Sequence, residues 1–305
     1  MHKKPIRVKT ISEFHRLADL PKPEHPLVSV IDLETLKRPV EEGTFSRVFD
    51  FYSISLKKNF HVKMRYGQQP SDFDEGVLHF MAPGQVLTVE ISKDMPYSPS
   101  GWMIFFHPDL LWNTPLAKTI KQYEFFGYAV NEALYLSDKE ETIMTGIAKN
   151  IEAEYHSNID KFSQRVVIAQ LELLLTYADR FYQRQFITRQ VAGHALLGRL
   201  EDLLNTYFAS GALAKQGMPT VTYIAEALHL SPNYLSALLK TLTGQSTQQH
   251  LHEKLIELAK EKLSTTNLSV SEIAYELGFE HLASFSKIFK SKTNLSPLQF
   301  RQSFN

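Results

Sequence analysis

A pattern that occurs twice near the C-terminus constrains this chain more than any other feature. Val221 to Leu251 reads VTYIAEALHLSPNYLSALLKTLTGQSTQQHL, and Val270 to Arg301 reads VSEIAYELGFEHLASFSKIFKSKTNLSPLQFR. Both follow Val-x-x-Ile-Ala-x-x-Leu-x-(Leu/Phe), then a Ser-bearing turn and helix, then (Leu/Phe)-Lys, then Gly or Asn, then Ser. In the first copy Val221, Ile224, Ala225 and Leu228 fall at i, i+3, i+4 and i+7, one apolar face of a helix. Leu230 anchors a turn, and Ser231-Pro232 supplies an N-cap followed by an N1 proline. Leu235, Leu238 and Leu239 form the buried stripe of the next helix, and Gly244 suits a left-handed stop. The second copy has one extra residue in its turn. Val270, Ile273, Ala274 and Leu277 match the first helix, Gly278-Phe279 the turn, and Phe285, Ile288 and Phe289 the second stripe. Asn294 replaces the stopping Gly, the next most tolerant choice for that backbone. Ser296-Pro297 then opens a last short helix. Each copy is a helix-turn-helix, the arrangement that lays a helix in a DNA major groove.

Between the copies, Gln248 to Leu263 carries Leu251, Leu255, Ile256, Leu258, Ala259 and Leu263 and reads as one helix. Its length of about 16 residues spans roughly 24 Å, against about 34 Å between successive major-groove faces. With the width of each unit added, both second helices can address one face of a duplex, and DNA bending makes up any misfit.

Residues from about 194 to 305 resemble the DNA-binding domain of the AraC/XylS family of bacterial transcription regulators. The resemblance is carried by Ile224-Ala225, Leu235, Lys240, Gly244, Lys254-Leu255, Ala259, Leu263, Val270, Ile273-Ala274, Leu277-Gly278-Phe279, Phe285, Phe289-Lys290, Ser296-Pro297 and Arg301. It implies that the base-facing positions are Asn233, Ser236 and Ala237 in the first unit, and Leu282, Ala283, Ser284 and Lys287 in the second. Asn233 is suited to adenine and Ala237 to a thymine methyl. The set is short-chained and weak in donors, so base contacts are expected to be few or water-mediated. The alternative for Asn233 and Lys287 is a solvated helix face.

Charge supports this only in part. Lys and Arg number 33, as do Asp and Glu, so the chain is formally neutral. From His281 onward, however, Lys287, Lys290, Lys292 and Arg301 occur with no acidic residue, which favours phosphate contact. Lys240 and Lys254 add to the first half, while Glu253, Glu257 and Glu261 dilute the connecting helix.

The rest of the chain is long enough for a second core. Strands are expected at 28–31, 47–56, 61–66, 77–81, 86–90 and 102–107, separated by turns such as 68–71 and 82–85. The expected class is α+β: an antiparallel sandwich or barrel, cupin-like by the family resemblance, followed by helices, and then the all-α domain with two helix-turn-helix units. The expected boundaries are 1–185 for the first domain, 186–193 for a linker and 194–305 for the second. Ser137 opens a helix running to about His156, and Asp160 caps another whose apolar residues exceed one narrow stripe. That helix, 160–181, is expected either to meet a second copy of the chain or to be buried on both sides. The barrel is expected either to be filled or to hold a small-molecule effector, with Tyr52, Met64, Phe80 and Trp102 among the lining residues.

The chain has no cysteine, no apolar run of membrane-spanning length and no signal-peptide core in MHKKPIRVKT, which fits a cytoplasmic protein with no membrane partner. Its partners are expected to be double-stranded DNA, an effector, a second copy and, for an activator, RNA polymerase. A cupin-type metalloenzyme with a helical appendage is the rival reading. It would need His61, His79 and His107 to converge, and no His-x-His spacing supports them. Neither a phosphate-binding Gly-rich loop nor a nucleophile motif occurs, so neither a cofactor nor an enzymatic activity is expected.

Overall fold

Asp50 and Phe51 interrupt what the sequence presents as one strand from Arg47 to Leu56. The computed structural model describes residues 5–36, 43–58, 63–66, 69–71, 76–91, 98–128, 132–157, 160, 162–188 and 190–303. In it, β3 (Gly43–Phe49) ends before Asp50 and β4 (Tyr52–Lys58) begins after Phe51, in a different sheet. The chain crosses back between β7 (Val77–Met81) and β8 (Val86–Ile91). The two crossings meet, because the Gly84 N–H donates to the Phe49 carbonyl at 2.7 Å.

Two five-stranded sheets result. Sheet A has the order β1-β3-β8-β5-β6, with β1 at Ile6–Val8, β5 at Lys63–Tyr66 and β6 at Gln69–Ser71. Sheet B has the order β10-β7-β4-β9-β2, with β2 at Val28–Asp32, β9 at Ser100–Phe106 and β10 at Leu134–Tyr135. The expected barrel is thereby corrected: the sheets are not closed on each other. Nor is the pairing purely antiparallel, since β1 runs parallel to β3. The N-terminal segment supplies β1, and the turn expected at 68–71 supplies β6.

One core cluster joins Phe49 of sheet A to Ile31 and Phe105 of sheet B, with Leu87, Met81 and Met103 packed against it. Helix α1 (Ile11–Leu17) adds Phe14, whose ring lies 4.6 Å from that of Phe105. The sheet B face that carries Met81, Met103 and Phe105 therefore looks toward sheet A. By register, Ser53, Ser55 and Lys57 of β4 share it with His79 of β7. Its opposite face carries Ile54, Leu56, Phe80, Trp102 and Phe106, and helices cover it. Trp102 Nε1–H donates to Thr145 in α3 (Asp138–Tyr155), and Phe80 packs on Phe125, Phe126 and Tyr182. Helix α3 opens with the expected capping box, the Ser137 N–H donating to Glu140 Oε2 at 2.9 Å. It packs on α4 (Ser163–Thr188), which Asp160 caps by accepting from the N–H groups of Phe162 and Ser163.

The chain divides into units Met1–Thr188 and Arg189–Asn305. The segment 186–193, expected as a linker, is helical on either side of Arg189: α4 ends at Thr188 and α5 (Gln190–Ala209) begins at Gln190. In the second unit the two helix-turn-helix copies are α7 (Val221–Leu228) with α8 (Pro232–Thr243), and α10 (Val270–Glu276) with α11 (Leu282–Thr293). Between α5 and α7 lies the short α6 (Ala212–Gln216). Connecting helix α9 spans Thr247–Thr265, and α12 (Pro297–Gln302) closes the chain. Thr220 and Ser231 cap α7 and α8, while Ser246, Ser269 and Ser296 head capping boxes at α9, α10 and α12. Gly244 and Asn294 both stop their helices in the left-handed region, with φ of 75° and 61°. Gly278 also has positive φ, and a Cβ there would meet the Leu213 carbonyl oxygen at 2.6 Å, so the second turn admits only glycine.

Lys57 is the least expected member of the N-terminal core, only 5% exposed, and burial pushes its ammonium down to about 7 from 10.5. Between those two values the unfolded chain binds more protons than the folded one, so stability rises with pH across that window. Below pH 7 both states are protonated and this contribution to the slope vanishes. The full shift corresponds to about 5 kcal/mol. Lys57→Met is expected to raise the melting temperature of the first unit at pH 7 and to flatten its rise between pH 7 and 9. A difference from the parent that is the same at both pH values would show that Lys57 is not buried as a charge.

Candidate nucleic-acid interface

In α8 the buried stripe Leu235, Leu238 and Leu239 fixes which face is left outward. Asn233 and Lys240 are exposed on that face and Ala237 is half-buried between them, at the spacing i, i+4 and i+7. Ser236 differs from its neighbours. It is half-buried, with its hydroxyl 3.3 Å from Thr247 Oγ1, and Thr247 is itself buried at the start of α9. The Ser236 hydroxyl thus ties α8 to the connecting helix.

In α11, Phe285 and Phe289 are fully buried, and Ile288 packs beside them. Leu282, Ala283, Ser284, Lys287 and Lys290 are exposed. Superposing Leu235 on Phe285 and Leu239 on Phe289 places Ala283, Lys287 and Lys290 at the positions of Asn233, Ala237 and Lys240. The two outward faces are therefore equivalent in position and unlike in chemistry: one amide and one ammonium in α8, two ammonium groups in α11. His281 holds the N-cap position of α11, is exposed, and makes no side-chain capping bond, so the amide end of this 12-residue helix lacks the oxygen cap found at α8. Sequence reasoning passed over His281. The available signal was a residue that caps poorly where α8 has Ser231.

The basic run of the second unit separates into two groups. Lys287 and Lys290 are exposed. Lys292 Nζ lies 3.6 Å from Glu253 Oε1 on α9, and Arg301 donates through Nε to the Leu263 carbonyl at 3.1 Å. Arg301, expected among the phosphate-facing cations, instead joins α12 to the C-terminal end of α9. On α9, Lys254 lies 3.7 Å from Glu257 and Lys262 lies 2.8 Å from Glu276 of α10, so these two cations are paired along the helix flank. The helix has 19 residues, about 28 Å of axial rise.

Tyr52, Phe80 and Trp102 lie on the helix-covered face of sheet B and not between the sheets. Tyr52 stacks on Phe106 with ring centroids 4.9 Å apart. The Met64 side chain and His61 lie outside the described residues. His79 is on the inward face, where burial and the nearby Lys57 charge hold its imidazole well below its usual value. His107 accepts a bond from the Asp109 N–H as the cap of a short 3-10 turn. Among the described residues no three His, Asp or Glu side chains form a metal-binding group. No described helix is long and apolar enough to cross a membrane.

A helix-turn-helix domain model matches residues 224–303. The chain is 31% identical over 183 residues to the raffinose operon transcriptional regulatory protein RafR of Pediococcus pentosaceus, a match covering 52% of this chain and 66% of that protein. It is 33% identical over 81 residues to the arabinose operon regulatory protein of Salmonella typhimurium, covering 27% of this chain and 29% of that one. Among solved structures, it is 34% identical to the C-terminal domain of the two-component response regulator yesN from Fusobacterium nucleatum, covering 33% of this chain and 96% of that chain with a TM-score of 0.29. The chain spans less than two thirds of the length of the curated relatives it matches.

The Arg301 bond generates a test of its own. Arg301→Ala is expected to destabilise the second unit by about 1–2 kcal/mol, because it leaves the Leu263 carbonyl without this donor. A variant as stable as the parent, but weaker on DNA, would return Arg301 to the phosphate-facing set.

Proposed function

Since the chain belongs to the AraC/XylS family of regulators, we propose that it is a transcription regulator that binds double-stranded DNA through both helix-turn-helix units. The observation that carries this reading is the pair of outward helix faces on α8 and α11, held by one connecting helix. Asn233, Ala237 and Lys240 would meet one major-groove segment, and Leu282, Ala283, Ser284, Lys287 and Lys290 the next. Ser236 contributes by holding α8 in place. With two presented ammonium groups against one, α11 would supply more of the phosphate attraction and α8 more of the hydrogen-bonded base reading. The protein would act in the cytoplasm by binding and not by catalysis. As an activator it would touch RNA polymerase.

Control would come from the first unit. Its inward sheet face carries Ser53, Ser55, Lys57 and His79, a polar set suited to a small polar effector. Two of the relatives are named for sugar operons, raffinose and arabinose, which supports a carbohydrate as that effector. Effector control is then expected to be lost in Lys57→Met while basal DNA binding persists. Phe162, just before α4, and Val166, Ala169 and Leu173 of α4 are exposed at i, i+4, i+7 and i+11, an apolar stripe suited to a second copy of the chain.

Selection from a random DNA pool tests the central reading. The bound sites are expected to contain two short conserved blocks about one helical turn, roughly 10 base pairs, apart. A single block, or none, would overturn the two-segment reading. On the selected site, Lys287→Ala is expected to cost about tenfold in affinity and to relax preference at one position, whereas Lys290→Ala weakens all sequences alike and lowers the salt slope by about one. Unchanged affinity and preference in Lys287→Ala would show that α11 does not lie in the groove. For the stripe on α4, sedimentation of Leu173→Glu should show a monomer where the parent shows a dimer. A dimer that survives the change places the contact elsewhere.

A further inference from the structure

The outer face of sheet B and helix α3 line an open cavity of about 350 Å3 that neither DNA binding nor the inward polar set uses. That volume lies within the range of small-molecule sites. Val30 of β2, Leu56 of β4, Trp102 of β9 and Ala148 of α3 provide apolar walls. Leu56, Trp102 and Ala148 are buried, so this surface is built into the fold and does not depend on mobile side chains. The indole of Trp102 is held in one orientation, its Nε1–H donating to Thr145 Oγ1 at 3.2 Å.

The charged side chains around these walls decide what the cavity can take. Asp32, Glu34, Glu141 and Glu152 stand there against Lys58 and Lys149, four carboxylates against two ammonium groups. Glu141 is paired with Lys58, and this salt bridge neutralises one of the two cations. Three carboxylates then face the single ammonium of Lys149. An incoming anion would meet net repulsion, and a neutral apolar molecule would leave the carboxylates with no gain. A cation with an apolar body satisfies both halves, the fixed indole forming part of the apolar wall.

We propose that this cavity is a binding site for a small organic amine, its apolar body against Val30, Leu56, Trp102 and Ala148 and its ammonium among Asp32, Glu34 and Glu152. It lies on the opposite face of sheet B from Lys57 and His79, so it is separate from the effector reading above and stands whether or not that reading holds.

The chain contains two tryptophans, Trp102 and the exposed Trp112. In the full-length Trp112→Phe protein, emission reports on Trp102 alone. Titration with n-butylamine, benzylamine and 1,4-diaminobutane is expected to change that emission saturably, while n-butanol and butyrate leave it flat. Ala148→Leu fills the cavity and is expected to abolish the response. Glu152→Gln combined with Asp32→Asn keeps the apolar walls and is expected to weaken the amines about tenfold. Emission that ignores all three amines, or follows butyrate equally, would overturn the proposal. So would a response of parental strength in the Glu152→Gln, Asp32→Asn protein, the arm that decides the matter should Ala148→Leu fail to fold.

Discussion

Leu251, Leu255, Ile256, Ala259 and Leu263 form a buried ridge along α9, and the second unit is organised around it. The leucine and isoleucine side chains each stabilise a fold by about 1.5–3 kcal/mol when fully buried, so the ridge is more than a spacer. At its N-terminal end α8 is fastened by Ser236 to Thr247, and the turn between the two helices by Thr243 to His250 and Gln245 to Glu253. From Leu255 to Leu263 the ridge shares one core with Ile273, Ala274, Leu277, Phe285 and Phe289. The Arg301–Leu263 and Lys262–Glu276 bonds close that end. A helix anchored in this way at both ends sets the distance and angle between the two outward faces. The protein's geometry toward a duplex is thereby a property of packing, with little left to loop conformation.

The first unit is built on the opposite plan. Its elements are placed by pairings far apart in sequence, such as Val28 with Phe106 and Leu134 with Leu78, and by two sheet crossings that touch at Gly84 and Phe49. Sheet B is covered on both faces, by sheet A on one side and by helices on the other. The more apolar strand positions face the helices, whereas Ser53, Ser55, Lys57 and His79 face inward.

That inversion explains what could and could not be read from the chain. Periodicity, caps and stops are local, so Ile224, Leu235, Phe285, Ser231, Gly244 and Asn294 announced their roles within a few residues of themselves. Which strand face looks inward is not local. Aromatic residues at Tyr52, Phe80 and Trp102 suggested a lining because large apolar side chains usually mark the interior, but a sheet covered twice has two interiors. The break at Asp50–Phe51 was hidden because strand propensity continues through it. The bonds of Ser236 and Arg301 were hidden for a related reason: their polar groups are visible in the sequence, but their partners, Thr247 and Leu263, lie 11 and 38 residues away.

The serines that head α8, α9, α10 and α12 have one more consequence. Each of these helices carries its own starting signal, and most of the pairings within the second unit join neighbours in the chain. Low contact order of this kind speeds folding, whereas the distant strand pairings of the first unit must pay loop-closure entropy before they gain anything. The second unit is therefore the quicker of the two to reach its native state from an unfolded chain, and a refolding protein regains its helix-turn-helix faces before its sheets.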